Sequence, residues 1–184
     1  MEFPVPETLQ SGLVSLRRLR EDDFESLYAV ASDPLLWEQH PNPDRYNKDV
    51  FQIYFQGAMA SGAAFLVTES ATGKILGCSR YYEFDAAKRT ISIGYTFLSR
   101  ECWGKGYNRD LKSVMLEYAF RFADSVIFHV GKKNMRSRKA MEKLGAVNTG
   151  EADMSYYGEA SHTNIIYRID KLPWTQQNGP AEKS

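Results

Sequence analysis

The spacing of apolar and polar side chains divides the chain into segments of two periods. Residues 13–19 alternate, with Leu13, Ser15 and Arg17 against Val14, Leu16 and Arg18, and read as a strand. Glu21, Asp22 and Asp23 then open a helix, where acids favour the positive end of the helix dipole, and Phe24, Leu27, Tyr28 and Ala31 follow helical spacing. Pro41, Asn42 and Pro43 break the chain. A second helix is predicted over about 49–60, with Phe51, Tyr54, Phe55 and Met59 on its apolar side. The period then falls to two. Residues 64–68, 75–84 and 89–98 read as three strands joined by turns at 71–73 and 85–87, an antiparallel meander. Within the third, Ile91, Ile93, Tyr95 and Phe97 share a face, and Gly94 marks a bulge or a close backbone approach.

A third helix follows Gly106, with Leu111, Val114, Met115, Tyr118 and Phe122 on one stripe. Residues 126–130 form a short strand, and Asn134 opens a fourth helix that ends near Leu144 and Gly145. Strands near 146–157 and 163–169 complete an α+β domain with about seven strands and four helices. The domain is expected to span 1–172, and the polar tail 173–184 to be mobile. No internal repeat or linker divides the chain.

Composition narrows the function. A chain of 184 residues, 43% hydrophobic, builds one core without disulfide or metal staples. Its 23 basic and 23 acidic side chains cancel, which argues against a general nucleic-acid binder. Cys78 and Cys102 are too few for a disulfide scaffold and too far apart to suggest a metal site. No apolar run marks a signal peptide near the start, and none approaches the roughly 18 residues of a membrane span. The expectation is a cytoplasmic protein with no membrane partner and no metal.

The informative stretch runs from Arg100 to Asn108: Arg-Glu-Cys-Trp-Gly-Lys-Gly-Tyr-Asn. Two glycines just ahead of a helix leave backbone N–H groups unpaired and unobstructed, either as a plain capping loop or as a cradle for a pyrophosphate. A nucleoside-triphosphate loop requires Ser or Thr after Gly-Lys, whereas Gly106 follows Lys105. The dinucleotide fingerprint requires three glycines after the first strand of a parallel unit, and this loop has two, after a meander. Some thirty residues on, Asn134 caps a helix by accepting from the Ser137 N–H. Between 132 and 143 six bases (Lys132, Lys133, Arg136, Arg138, Lys139, Lys143) face one acid, Glu142: a solvated helix face or a second phosphate site.

The order of meander, Trp-Gly-Lys-Gly-Tyr-Asn loop, long helix, strand and Asn-x-x-Ser helix ending in Lys-Leu-Gly resembles the GNAT N-acetyltransferase superfamily, and within it the ribosomal-protein N-terminal acetyltransferase-like group. The resemblance covers about residues 13–169. It implies a GNAT fold, with a mixed central sheet whose third meander strand and following parallel strand splay apart around acetyl-coenzyme A. By that resemblance Phe97 and Leu98 pair with the pantetheine arm, and Trp103, Gly104, Lys105, Gly106, Tyr107 and Asn108 hold the pyrophosphate. Asn134 and Ser137 border the arm and thiol, and Arg138 or Lys139 reaches the 3′-phosphate. Asn108 departs from the small residue more usual there, which a capping role would also explain.

The implied reaction is attack of a neutral primary amine, a protein N-terminus or a small molecule, on the thioester. A backbone N–H near Leu98 is the expected oxyanion donor, and the Ser137 hydroxyl, or a water, the expected acid. The base is Glu83, unless that is only an exposed strand-end charge, with His129 as second candidate and Tyr156 and Tyr157 where relatives often carry a glutamate. On the acceptor side, Trp37, His40 and Tyr95 are expected to line the mouth. From Glu21 to Asp49 eight acids oppose Arg45 and Lys48, a rim that suits a cationic acceptor. Family members occur as monomers or homodimers, and both fit. A different class also fits: an acyl-coenzyme A sensor that has lost catalysis.

Overall fold

The computed structural model describes residues 2–155 and 157–178. Eight strands form one sheet: β1 (Thr8–Gln10), β2 (Val14–Arg18), β3 (Ala64–Glu69), β4 (Ile75–Asp85), β5 (Thr90–Leu98), β6 (Ser125–Gly131), β7 (Val147–Met154) and β8 (His162–Asp170). Among the described residues five α-helices accompany them: α1 (Phe24–Ala31), α2 (Lys48–Ser61), α3 (Tyr107–Ala119), α4 (Met135–Leu144) and α5 (Lys171–Asn178). The strand order is β1-β2-β3-β4-β5-β6-β8-β7, antiparallel except for the central pair β5–β6. This is the expected mixed α+β fold, with one more strand and one more helix than the spacing suggested.

Strand alternation sends side chains to two cores. On one face Val14, Phe65, Val67 and Tyr81 pack with Leu111 and Met115 of α3 and Met141 and Leu144 of α4. On the other, Leu66, Cys78 and Phe97 pack with Leu27 and Ala31 of α1 and Phe51, Tyr54 and Phe55 of α2. Among the described residues no helix is long and apolar enough to cross a membrane.

Three expectations are corrected. Ile91 and Ile93 lie in the first core but Phe97 in the second. The cause is a bulge: Arg80 opposes Gly94 and Cys78 opposes Phe97, so β5 carries one extra residue. Tyr95, at φ 52°, absorbs it, and alternation inverts beyond that point. Secondly, the stripe of α3 ends at Ala119, and Phe122 lies in the turns that follow. Thirdly, the polar tail expected from 173 begins inside a helix. Pro173 falls in the first turn of α5, where a missing N–H is tolerated, and Trp174 is buried against the α3–α4 core. Residues 179–184 of that tail lie outside the described residues, as does Tyr156.

Candidate active site

The parallel pair is short. Thr90, Ile91 and Ser92 pair with Ser125, Val126 and Ile127, and beyond Ser92 and Ile127 the two strands part. Their free lengths, together with the loop before α3 and the first turns of α4, line a cleft of about 750 Å³. The bulge is fixed from outside: the Tyr54 hydroxyl donates to the Tyr95 carbonyl at 2.6 Å, and the Arg80 guanidinium stacks 3.8 Å from the Tyr95 ring.

The loop at the mouth leaves backbone donors uncapped. Gly104 and Gly106 take positive φ (72° and 85°), a conformation that costs other residues steric strain. Gly106 is the N-cap of α3 and has no side chain to satisfy the first N–H groups, which the helix itself leaves unpaired. Asn108 is therefore not the cap; it stands in the first turn and lines the cleft. The base of the helix is anchored by the Asp110 carboxylate, which accepts from the Ser11 hydroxyl and from the backbone N–H of Leu13 (2.9 Å) and Val14 (3.2 Å). On the far wall Asn134 Oδ1 accepts from the Ser137 N–H at 3.2 Å and Gly145 closes α4 at φ 91°.

The cleft gathers most of the residues singled out from sequence: Phe97, Leu98, Trp103, Gly104, Gly106, Asn108, Asn134, Ser137 and Lys139 line it, as do Trp37, His40 and Tyr95. Lys105, Tyr107, Arg138 and Glu83 do not. The Tyr107 hydroxyl turns away to Glu69 (2.5 Å), and Arg138 donates to the Lys132 carbonyl and the Tyr167 hydroxyl. Glu83, at φ 51°, sits on a second bulge between β4 and β5, its carboxylate 3.4 Å from the Ser92 hydroxyl.

Charge is distributed differently from the expected acidic rim. Asp23 pairs with Arg17 (2.6 Å), Glu25 with Lys48 (2.7 Å) and Asp33 with Arg100, so three of those acids are already matched. Among the described residues every charged side chain lining the cleft is a cation: Arg45, Arg109, Lys112, Arg136, Lys139 and Lys143. In a chain of zero net charge that is a strong local bias, suited to a polyanionic ligand.

Three titratable groups in the cleft are shifted by burial. His129 Nδ1 lies 2.7 Å from the Tyr82 hydroxyl; burial pushes its pKa below the usual histidine range, against an opposing pull from Glu83. His40 is held well below that range by burial and by the Arg45 charge. Lys112, which the sequence reading passed over, lies in the cleft wall with its pKa brought down to about 7 by burial. It shares the apolar spacing of Leu116 and Ala119, and a lysine on that stripe was the available signal. Where Arg45 lines the cleft, Glu159, from the turn between β7 and β8, makes a buried bidentate pair with it (2.7 and 2.6 Å) and accepts from Asn42 (2.6 Å). Sequence offered no sign of that pair, whose members are far apart in the chain.

A family model for the acetyltransferase (GNAT) domain matches residues 14–147. Among solved structures the chain is similar to a GCN5-related N-acetyltransferase from Brucella melitensis, with 20% identity over 95% of this chain and 85% of that one and a TM-score of 0.75. It is also similar to an acetyltransferase of the GNAT family from Bacillus anthracis (18% identity, 89% and 98% covered, TM-score 0.69). A third is the ribosomal-protein-S5-alanine acetyltransferase from Vibrio fischeri (20% identity, 91% and 98% covered, TM-score 0.62). At these identities the structural likeness speaks for the fold alone.

Proposed function

The chain belongs to the GNAT acetyltransferase domain family, and on that premise we propose that its cleft takes acetyl-coenzyme A and delivers the acetyl group to a primary amine. The observation that carries this reading is the splayed β5–β6 pair, whose charged lining is wholly cationic and whose mouth ends on the uncapped, glycine-led start of α3. Unpaired donors at a helix N-terminus fit a pyrophosphate, and Lys139 and Lys143 fit a further phosphate. Phe97, Leu98, Asn134 and Ser137 would flank the arm. Bound there, the co-substrate supplies an activated acyl group as a thioester.

The remaining chemistry falls to this chain. The acceptor must attack as a neutral amine, so a proton acceptor has to stand in the cleft. His129 fits that role better than Glu83, since it lines the cleft and is neutral at pH 7. In the tautomer whose Nδ1–H donates to the Tyr82 oxygen, Nε2 carries the ring's basic lone pair, and that is the tautomer this role requires. Glu83 then acts on the histidine through its field alone. Backbone N–H groups of the freed stretch beyond Tyr95 are suited to the developing oxyanion, as expected near Leu98.

A protein α-amine is the acceptor class put first. Its pKa of about 7.7–8.0 leaves much of it neutral at physiological pH, within reach of a histidine base, whereas a lysine amine near 10.4 is harder to deprotonate. One structural neighbour is a ribosomal-protein-S5-alanine acetyltransferase, which agrees with this choice. A small primary amine of similar pKa is the next candidate. Soluble, non-membrane action in the cytoplasm, as monomer or homodimer, completes the proposal.

Thermal unfolding with and without acetyl-coenzyme A, followed by thiol release over a panel of α-amino peptides and small amines, tests it. A raised midpoint is expected, because a ligand of the folded state stabilises it. Amine-dependent thiol release should accompany it, and absence of both would end the proposal.

A further inference from the structure

Beneath the anion loop the cleft wall contains a buried amine with too few partners. Lys112 follows Asn108 by four residues on α3 and therefore lies one turn below it on the same face. Its side chain is 3% exposed and enters the gap between β5 and β6. Nζ donates to Thr96 Oγ1 at 2.5 Å and lies 5.6 Å from the centre of the Phe128 ring. An ammonium carries three donors, and the described residues give Lys112 Nζ only that one hydrogen-bond acceptor. The charged neighbours along α3 and α4 in this wall, Arg109, Arg136, Lys139 and Lys143, are cations and offer it no counter-charge. Across the gap stands His129 with Tyr82.

The two strands place these groups on opposite faces of the gap. Phe128 belongs to the α3–α4 core, so its neighbour His129 points to the α1–α2 face, where Tyr82 and Tyr95 pack together (5.1 Å between ring centres). Lys112 approaches from the α3–α4 face at the same level, beside the bulge. Any bond to be broken within the gap thus has a neutral base on one side and a proton-bearing amine on the other.

We infer that Lys112 is the acid of the reaction, giving its proton to the departing sulfur on the face opposite His129. The inference rests on the acetyl-coenzyme A reading of the cleft. The acceptor nitrogen bonds to the carbonyl carbon and loses its proton to His129. The carbon–sulfur bond breaks with its electron pair on sulfur, and sulfur takes a proton from the Lys112 ammonium. Product release then lets solvent return a proton from His129 to Lys112, and the cycle balances. The lowered pKa of Lys112 suits the step, because an acid near 7 is charged in a useful fraction at neutral pH yet gives up its proton readily.

Equilibrium binding tests it without turnover, using coenzyme A, desulfo-coenzyme A and acetyl-coenzyme A with the parent chain, Lys112→Met and Thr96→Val. The parent is expected to bind coenzyme A about tenfold more tightly than the desulfo form, as a charge-assisted contact to sulfur would give. Lys112→Met should abolish that preference while leaving the desulfo affinity within about threefold. Thr96→Val, which removes the acceptor that aims Nζ, should reduce the preference in part and serves if Lys112→Met folds poorly. Equal loss for all three ligands, or an unchanged preference, overturns the inference and leaves the cleft reading intact. No binding of any of the three by the parent overturns both.

Discussion

The Arg136 guanidinium lies 3.6 Å from the centre of the Trp103 ring, joining the first turn of α4 to the glycine loop ahead of α3. Arg136 is held on that ring by two further bonds. Its guanidinium donates to the Leu36 carbonyl (3.3 Å) and its backbone N–H to Gln39 Oε1 (3.1 Å). Both residues line the cleft, so this contact spans its two walls.

A ligand entering the cleft should disturb that contact, and fluorescence can read it. Trp103 is 36% exposed, against 1% for Trp37, which also lines the cleft, so the part of an emission change on adding coenzyme A that Trp103→Phe removes reports on Trp103. Arg136→Ala removes one of the cations lining the cleft and should weaken coenzyme A binding by roughly tenfold, as loss of one charge-assisted contact would. The Trp103→Phe variant should lose the emission change while keeping most of the affinity. Unchanged emission in the parent at saturating ligand would count against the clasp.

The base assignment separates cleanly by pH. His129 is depressed by burial, so it is neutral at pH 7 and gains a proton only below the usual histidine midpoint. The acid limb of kcat should therefore fall below pH 6.5, and His129→Gln should lower kcat by about a hundredfold or more. Glu83 raises the histidine, so Glu83→Gln should move that limb to lower pH and leave the rate at pH 7.5 nearly unchanged. Collapse of the rate in Glu83→Gln would instead return the role of base to the glutamate.

The turn between β7 and β8 should be the element whose anchoring depends on one ion pair. The Arg45 and Glu159 side chains are 3% and 7% exposed, and the guanidinium also lies 4.9 Å from the centre of the Tyr54 ring. Removing one partner of such a pair strands a buried charge and costs about 3–5 kcal/mol, whereas replacing both with apolar groups recovers much of the loss. Arg45→Met should thus lower the unfolding midpoint by roughly 10 °C and raise amide exchange over residues 157–162. The double variant Arg45→Met with Glu159→Leu should restore most of it. An equal or larger loss in the double variant would show that packing, not charge, holds the turn.

What sequence reveals here follows from the range of the interactions. Caps and stripes are local, so the start of α4 at Asn134, its end at Gly145, the bounds of α2 and the start of α3 were legible to within a residue or two. The bulge was sensed one residue early: Gly94 drew attention because it lacks a side chain, and its backbone does lie close to Tyr82, but the strained residue is Tyr95. That conformation is stabilised by Tyr54, distant in the chain. The acidic run from 21 to 49 misled because its neutralising partners include Arg17 and Arg100, which lie outside the run. Strand β1 has only three residues and one neighbour, too little for a pattern to register.

Lys112 should be a measurable burden on stability, and the burden should depend on pH. Burial lowers its pKa from the ordinary 10.5 to about 7. Between those values the unfolded chain holds the proton and the folded chain does not, so unfolding takes up a proton and stability rises with pH. Below pH 7 both states are charged and the folded state bears the full cost of the buried ammonium, on the order of 5 kcal/mol at most. Above about 10.5 both are neutral and that cost is gone. Lys112→Met, similar in length and apolar, lacks it at every pH. The variant should therefore be more stable than the parent at pH 6.5, and denaturant midpoints measured at pH 6.5, 8 and 9.5 should converge. A gap that stays constant across that range would mean that the lysine is charged throughout or solvated in the cleft. Convergence would show a neutral-prone amine kept inside the cleft at a cost to the fold, which is the pattern expected of a group retained for chemistry rather than for packing.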